Sequence, residues 1–188
     1  MLSISKTRPR QVTIEGRNID FKNEIKVLGL TLKRTGAVNH LTNRINHAKA
    51  QTSKLRRFNE LDSYIKLRLY KSLIRPVIEY PIIPNALASN SQLLKMQRVQ
   101  NRNIRLITSN NEDLRDRTIE EIHNLLNLES INVRLYNRLI KSFERFAIKE
   151  PELYERSVRE NQDNFRDHVW WKRAALKCDD PPPAPMYT

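Results

Sequence analysis

The glycines of this chain stop at position 36. Gly16, Gly29 and Gly36 are the only three, and the rest of the 188 residues has none. Glycine supplies the tight turns and bulges that sheets need, so a long glycine-free stretch points to helices. The N-terminal part reads differently. QVTIEG and RNIDF flank the Gly16-Arg17 step as arms of a β-hairpin, and IKVLGLTL, Ile25 to Leu32, reads as a third strand. Three short strands bury too little to stand alone, so they must pack on the helices or on a larger sheet. The expected fold class is mainly α with a small N-terminal antiparallel β element and a disordered Pro-rich tail.

From Val38 onward the apolar spacing is helical. Leu41, Ile45, Ala48, Leu55 and Phe58 mark a first helix, capped near Asn39. A second runs from the N-cap Asp62 to Arg75, where Pro76 closes it. PVIEYPIIPNALAS, with three prolines, is an irregular connector or a broken helix. A third helix starts near Asn90-Ser91 and runs to about Thr108, and SNNEDLRD is a loop. Further helices follow over Thr118–Leu126, Ser130–Lys149 and Pro151–Glu160, with Pro151 placed at a first turn. Beyond Asn161 the pattern weakens, and DDPPPAP ends as an extended tail.

Charge is concentrated in one block. Lys33 to Arg105 holds fifteen Lys/Arg against only Glu60, Asp62 and Glu79, within a net charge of +13 for the chain. Such a block is an electrostatic footprint for a polyanion, most often nucleic acid. On the third helix Lys95, Arg98, Arg102 and Arg105 fall within an arc of about 80°. Leu93, Met96, Val99, Ile104 and Ile107 take the opposite side. On the second, Arg68, Lys71 and Arg75 share a face opposite Ile65, Leu69, Tyr70, Leu73 and Ile74. Apart from Asp62 and Glu79 near the second helix, neither stripe has acidic residues to pair with. Two such stripes suggest a groove that tracks a phosphate backbone. Tyr64, Tyr70 and Phe58 could stack on bases, but packing is the role expected of them.

Other chemistry is sparse. The one cysteine, Cys178, excludes an internal disulfide framework and fits a reducing, intracellular compartment. Nothing in the sequence is apolar enough for a membrane span or a signal peptide. His40 and His47 are not an i, i+4 metal pair, and His123 and His168 are isolated. No two glycines are close enough for a phosphate loop. Glu120-Glu121 reads as solvated helix surface, and no set of carboxylates could hold two magnesium ions. No catalytic residue, metal ligand or cofactor is therefore assigned.

The order of several strings then becomes specific. IKVLGLTL is followed by HLTNRINHAKAQTSKLRRF, by LYKSLIRPVIEY at Leu69 to Tyr80, by LLKMQRVQNRNIRLIT at Leu93 to Thr108, and by LNLESINVRLYNRLIKSF. This order resembles the C-terminal part of reverse transcriptases of non-LTR, LINE-type retrotransposons, nearest the jockey-like group. The resemblance covers roughly Ser3 to Phe146. It implies that Val27, Leu28 and Gly29 form a primer-grip strand, with Gly29 letting the backbone approach closely. It implies a helical, thumb-like bundle in which Arg68, Lys71, Arg75, Lys95, Arg98, Arg102 and Arg105 contact the phosphates of a template–primer duplex.

On this reading residues 1–36 are a palm remnant, 37–110 the basic thumb, 111–160 a helical extension and 161–188 a weakly ordered tail. Two departures stand out. Tyr80 is followed by Pro81-Ile82-Ile83-Pro84 instead of a small residue and an aromatic. The family's aromatic-x-Asp-Asp turn would precede Met1, and Asp179-Asp180 lies in a proline tail instead of a turn. The expectation is therefore a truncated gene copy that binds duplex nucleic acid but does not polymerise. The Mg2+ of the parent polymerase would sit on residues outside this chain, and the missing palm and fingers would be its protein partner. The alternative is a stand-alone basic helical RNA- or DNA-binding protein without enzymatic activity. A third reading, a pseudogene translation, would bind nothing.

Overall fold

The computed structural model describes residues 12–14, 17–19, 24–27, 30–33, 38–80, 88–161 and 184–187. It is mainly helical. Two short ladders precede the helices. β1 (Val12–Ile14) pairs antiparallel with β2 (Arg17–Ile19), and β3 (Glu24–Val27) with β4 (Leu30–Lys33). The single strand expected over Ile25–Leu32 is thus two. Only Leu28 and Gly29 separate the paired residues Val27 and Leu30, which is the connection length of a tight hairpin.

Helix α1 spans Val38–Leu55, and Asn39, expected as its cap, is already helical. A single 3-10 turn over Arg56–Phe58 ends it. Asp62 then caps α2 (Ser63–Leu69), its Oδ1 accepting from the Tyr64 amide at 2.7 Å. The next turn corrects the expectation for Pro76. Instead of stopping, the chain widens into a π-turn over Tyr70–Ile74 and continues as α3 (Arg75–Glu79). Proline lacks an N–H and its ring collides with the carbonyl a turn back. A π-turn, in which the Arg75 amide reaches Tyr70 O, shifts that register and lets the helix pass.

Residues 81–87 of the expected connector lie outside the described residues. Helix α4 (Asn90–Ile107) opens on a capping box, in which the Ser89 hydroxyl accepts from the Gln92 amide and Gln92 Oε1 accepts from the Ser89 amide at 2.9 Å. The expected loop after it contains one helical turn, α5 (Glu112–Arg115). A second capping box, Thr118 with Glu121, starts α6 (Ile119–Leu125). Its Thr118 hydrogen bonds hold the Glu121 carboxyl below the usual carboxylate range.

Asn127, with φ 48°, closes α6. Its left-handed backbone lets Leu128 N reach His123 O at 2.9 Å and its own N reach Asn124 O at 3.2 Å, the two bonds of a Schellman motif. Helix α7 (Ile131–Lys149) and α8 (Pro151–Asn161) complete the described helices, with Pro151 at the first turn of α8.

Helix α4 is the central element. It packs against α1, α2, α6 and α7, while α1 also packs on α3. One cluster of buried side chains draws on α1, α3, α4, α6, α7 and the π-turn, including Ala48, Tyr70, Ile78, Met96, Ile104, Ile122 and Leu135. Leu67 and Leu69 of α2 pack against it partly buried. Polar ties cross it. Asn103 Nδ2 donates to Thr52 Oγ1 at 2.9 Å, joining α4 to α1, and Ser63 Oγ donates to Ile107 O at 2.9 Å, joining α2 to the end of α4.

Of the expected Pro-rich tail, residues 162–183 lie outside the described residues. Ala184–Tyr187 is described, and it lies against the helices instead of standing free.

Candidate nucleic-acid interface

The charged stripe of α4 follows from its apolar one. Leu93, Met96, Val99, Ile104 and Ile107 are buried, which leaves Lys95, Arg98, Arg102 and Arg105 facing solvent. Among the described residues Lys95, Arg98 and Arg102 enter no ion pair. Arg105 donates from Nη1 to Arg115 O at 3.2 Å, so its head is held toward the α5 turn. A face whose cations have no acidic partners keeps its potential for an approaching phosphate.

At its N-terminal end the stripe borders a cleft of about 840 Å3 between α1 and α4. Lys49 of α1 and Lys95 of α4 both line it, with Asn46, Ser89, Asn90 and Ser91. Lys49 is a candidate that the sequence did not single out. The available signal was its helical spacing from Thr42, Ile45 and Asn46, the α1 residues lining the same cleft.

The second stripe is only partly in solvent. Arg68 is exposed, its guanidinium 5.8 Å from the Tyr64 ring centroid, and Lys71 is exposed on the π-turn. Arg75 is not available to a phosphate: it is buried, with Nε donating to Glu79 Oε1 at 2.8 Å. The reason is the i, i+4 placement of Glu79, which is itself buried and faces α7. There Arg134 and Arg138 also donate to the Glu79 carboxylate. Lys66, another cation of the basic block, is also buried, and burial holds its ammonium below the usual lysine range against the opposing pull of Asp62.

The aromatic expectation divides. Tyr70 is wholly buried, and burial drives its phenol far above the usual tyrosine range. Phe58 and Tyr64 are exposed instead of packed, at 51% and 65%. Both are therefore open to a base or a sugar. Of the primer-grip residues, Val27 ends β3, and Leu28 and Gly29 lie outside the described residues. No described helix is long and apolar enough to cross a membrane. Among the described residues no three His, Cys, Asp or Glu side chains gather as a metal-holding group.

The inner face of α4 is polar in a way the sequence reading missed. Gln97, Gln100 and Asn103 are buried. Gln97 Oε1 accepts from the Ile131 amide at 2.8 Å, and Gln97 Nε2 donates to Asn101 Oδ1 at 2.7 Å. His123, expected to be an ordinary isolated histidine, is buried beside this pair with Nδ1 2.8 Å from Leu128 O. Nδ1 is the donor there, which leaves Nε2 to accept from Gln97 Nε2 at 3.3 Å.

Burial pushes the His123 pKa below its ordinary 6.5, the charge of Arg75 adds to this, and the Leu128 carbonyl opposes it. His40 is lowered too, by burial and then by Arg44, against the Tyr80 backbone. A lowered folded-state pKa means that the unfolded chain binds more protons below the ordinary value. Stability is then complete above that value and is lost as pH falls toward the folded pKa. Thermal unfolding should therefore shift to lower temperature between about pH 7.5 and about pH 5.5. His123→Asn should shrink that pH-dependent drop whatever it does to stability at neutral pH. An equal drop in both chains would show that His123 is not the titrating group.

Comparison with protein-family models, with curated protein sequences and with solved structures returns no match to this chain.

Proposed function

We propose that this chain binds the backbone of duplex nucleic acid without sequence preference, as the primer-grip and thumb part of a non-LTR retrotransposon reverse transcriptase does. The observation that carries the reading is the exposed row Lys95, Arg98 and Arg102 on α4, which enters no ion pair among the described residues, on a helix anchored in the core by its own buried apolar face. Arg105 extends the row, Lys49 adds a cation across the cleft, and Arg68 and Lys71 add charge from α2 and the π-turn. The motif order from IKVLGLTL to LNLESINVRL supports the choice of polymerase thumb over other basic helical proteins. The proposal assigns the chain duplex holding and no catalytic step.

A stand-alone basic helical nucleic-acid-binding protein would use the same surface. That reading is supported by the buried cluster shared between α1 and α7.

Both readings make the same binding expectation. Short RNA–DNA and DNA duplexes of unrelated sequence should bind with affinities within about threefold of one another, because phosphate contacts carry no sequence information. Fluorescence anisotropy at about 50 mM salt checks it. Absence of binding there would overturn the proposal, and strong preference for one sequence would overturn its phosphate-only character.

A further inference from the structure

Ala184–Tyr187 meets the helices through backbone atoms and through two amide side chains. Asn132 Nδ2 donates to Ala184 O at 2.6 Å, and Asn132 Oδ1 accepts from Met186 N at 3.4 Å. One side chain thus reads the carbonyl of one residue and the amide two positions on. Asn101 Nδ2 donates to Tyr187 O at 3.0 Å. The Tyr187 ring stands 4.9 Å from the His123 ring, and Met186 packs against the hydrophobic core.

Both amides are oriented from inside the protein. Ser130 Oγ donates to Asn132 Oδ1 at 2.7 Å, which fixes Nδ2 toward the segment. Gln97 Nε2 does the same for Asn101 through Oδ1, and Gln97 is anchored in turn by the Ile131 amide. Asn132 is 2% exposed. Among its described contacts, only the segment satisfies the Asn132 NH2, and a buried donor left unpaired is costly. Pro185 and Tyr187 help to wall a cavity of about 280 Å3 with His123, Leu128 and Val133, so the groove has room beyond the atoms it holds.

We propose that this groove, formed by Asn101 of α4, His123 of α6 and Asn132 of α7, is a built docking site for a peptide. Its ligand is the chain's own Ala-Pro-Met-Tyr segment. Backbone hydrogen bonds to paired asparagines give affinity, and the methionine and tyrosine seats give selectivity. The site is independent of the duplex-binding reading, since none of the basic residues of the α4 stripe contributes to it.

The test uses the full chain with Met186→Asp and Tyr187→Ala, which empties the groove without altering a helix. A labelled peptide of sequence PPPAPMYT, residues 181–188, is the probe. It should bind this variant at least about tenfold more tightly than the native chain, whose groove is already filled. Adding Asn132→Asp should weaken peptide binding by about tenfold or more, because a carboxylate cannot donate to Ala184 O. Asn132 is buried, so a carboxylate there also carries a desolvation cost. The variant's far-UV circular dichroism and thermal midpoint, measured beside binding, should stay close to those of the emptied chain. Loss of the folded signal would overturn the assignment of the weakening to the lost hydrogen bond.

Oxidation of Met186 by peroxide supplies a second readout in chains that keep the tail. It should run several-fold faster in Asn132→Asp than in the native chain. Equal peptide binding by native and emptied chains, binding untouched by Asn132→Asp, or unchanged Met186 oxidation would each overturn the proposal. A native dimer that becomes monomeric in the emptied variant would place a second copy's tail in the groove and overturn the assignment within one chain.

Discussion

Replacing Glu79 with alanine is expected to remove about 3–5 kcal/mol of folding stability. Glu79 is 2% exposed and receives three guanidinium groups, from Arg75 on its own helix and from Arg134 and Arg138 on α7. Without the carboxylate, three cations face one another around a buried space, and Arg75, itself buried, loses its carboxylate partner. For a chain of this size that change lowers the midpoint of thermal unfolding by roughly 10 °C. The arginines should matter unequally. Arg134 and Arg138 are 30% and 40% exposed at their side chains, so water screens their pairing and each single replacement should cost less than that of Glu79. A Glu79→Ala midpoint within about 2 °C of the native chain would show that the cluster does not hold α3 to α7.

The second large effect falls on binding. Changing Lys95, Arg98 and Arg102 together to glutamine removes three exposed cations that have no ion-pair partner among the described residues. Each cation that no longer neutralises a phosphate should flatten the plot of log affinity against log salt by about 0.9. The slope of the triple variant should therefore be shallower by between about two and three. Its affinity should fall on the order of tenfold to a hundredfold at about 0.1 M salt. Arg105 is left out of the set because its head already donates to the Arg115 carbonyl. A control with the same charge change, Arg117, Arg145 and Lys149 to glutamine, removes exposed cations that are not on α4. It should lower affinity by less than about threefold if position, and not net charge, decides.

Some of this was written plainly along the chain. The α4 helix and its two faces are legible because its apolar spacing is regular and Ser89-x-x-Gln92 is a capping box in sequence before it is one in space. Thr118-x-x-Glu121 announces α6 in the same way. Pro76 misled because proline ends a helix only when the register before it is ordinary, and a π-turn is not marked by residue type. The burial of Arg75 was half legible. Glu79 lies one turn on, but the arginines that complete the cluster sit on a helix more than fifty residues away.

Gln97 and Asn103 look like surface residues until α1 and α7 close over them. Phe58 and Tyr64 look like core residues until the 3-10 turn and the α2 cap direct them outward. The peptide groove has no local signature at all, since Asn101, His123 and Asn132 meet only in the folded chain.

Duplex holding rests on the α4 stripe, and a salt titration of binding reaches that stripe most directly. Affinity of the native chain for one short RNA–DNA duplex, followed from about 50 to about 300 mM salt, should fall along a straight logarithmic line. The line for the Lys95/Arg98/Arg102 variant should be flatter by about two to three and the control line parallel to the native one. Native and triple-variant lines that coincide would contradict the placement of a phosphate backbone on α4.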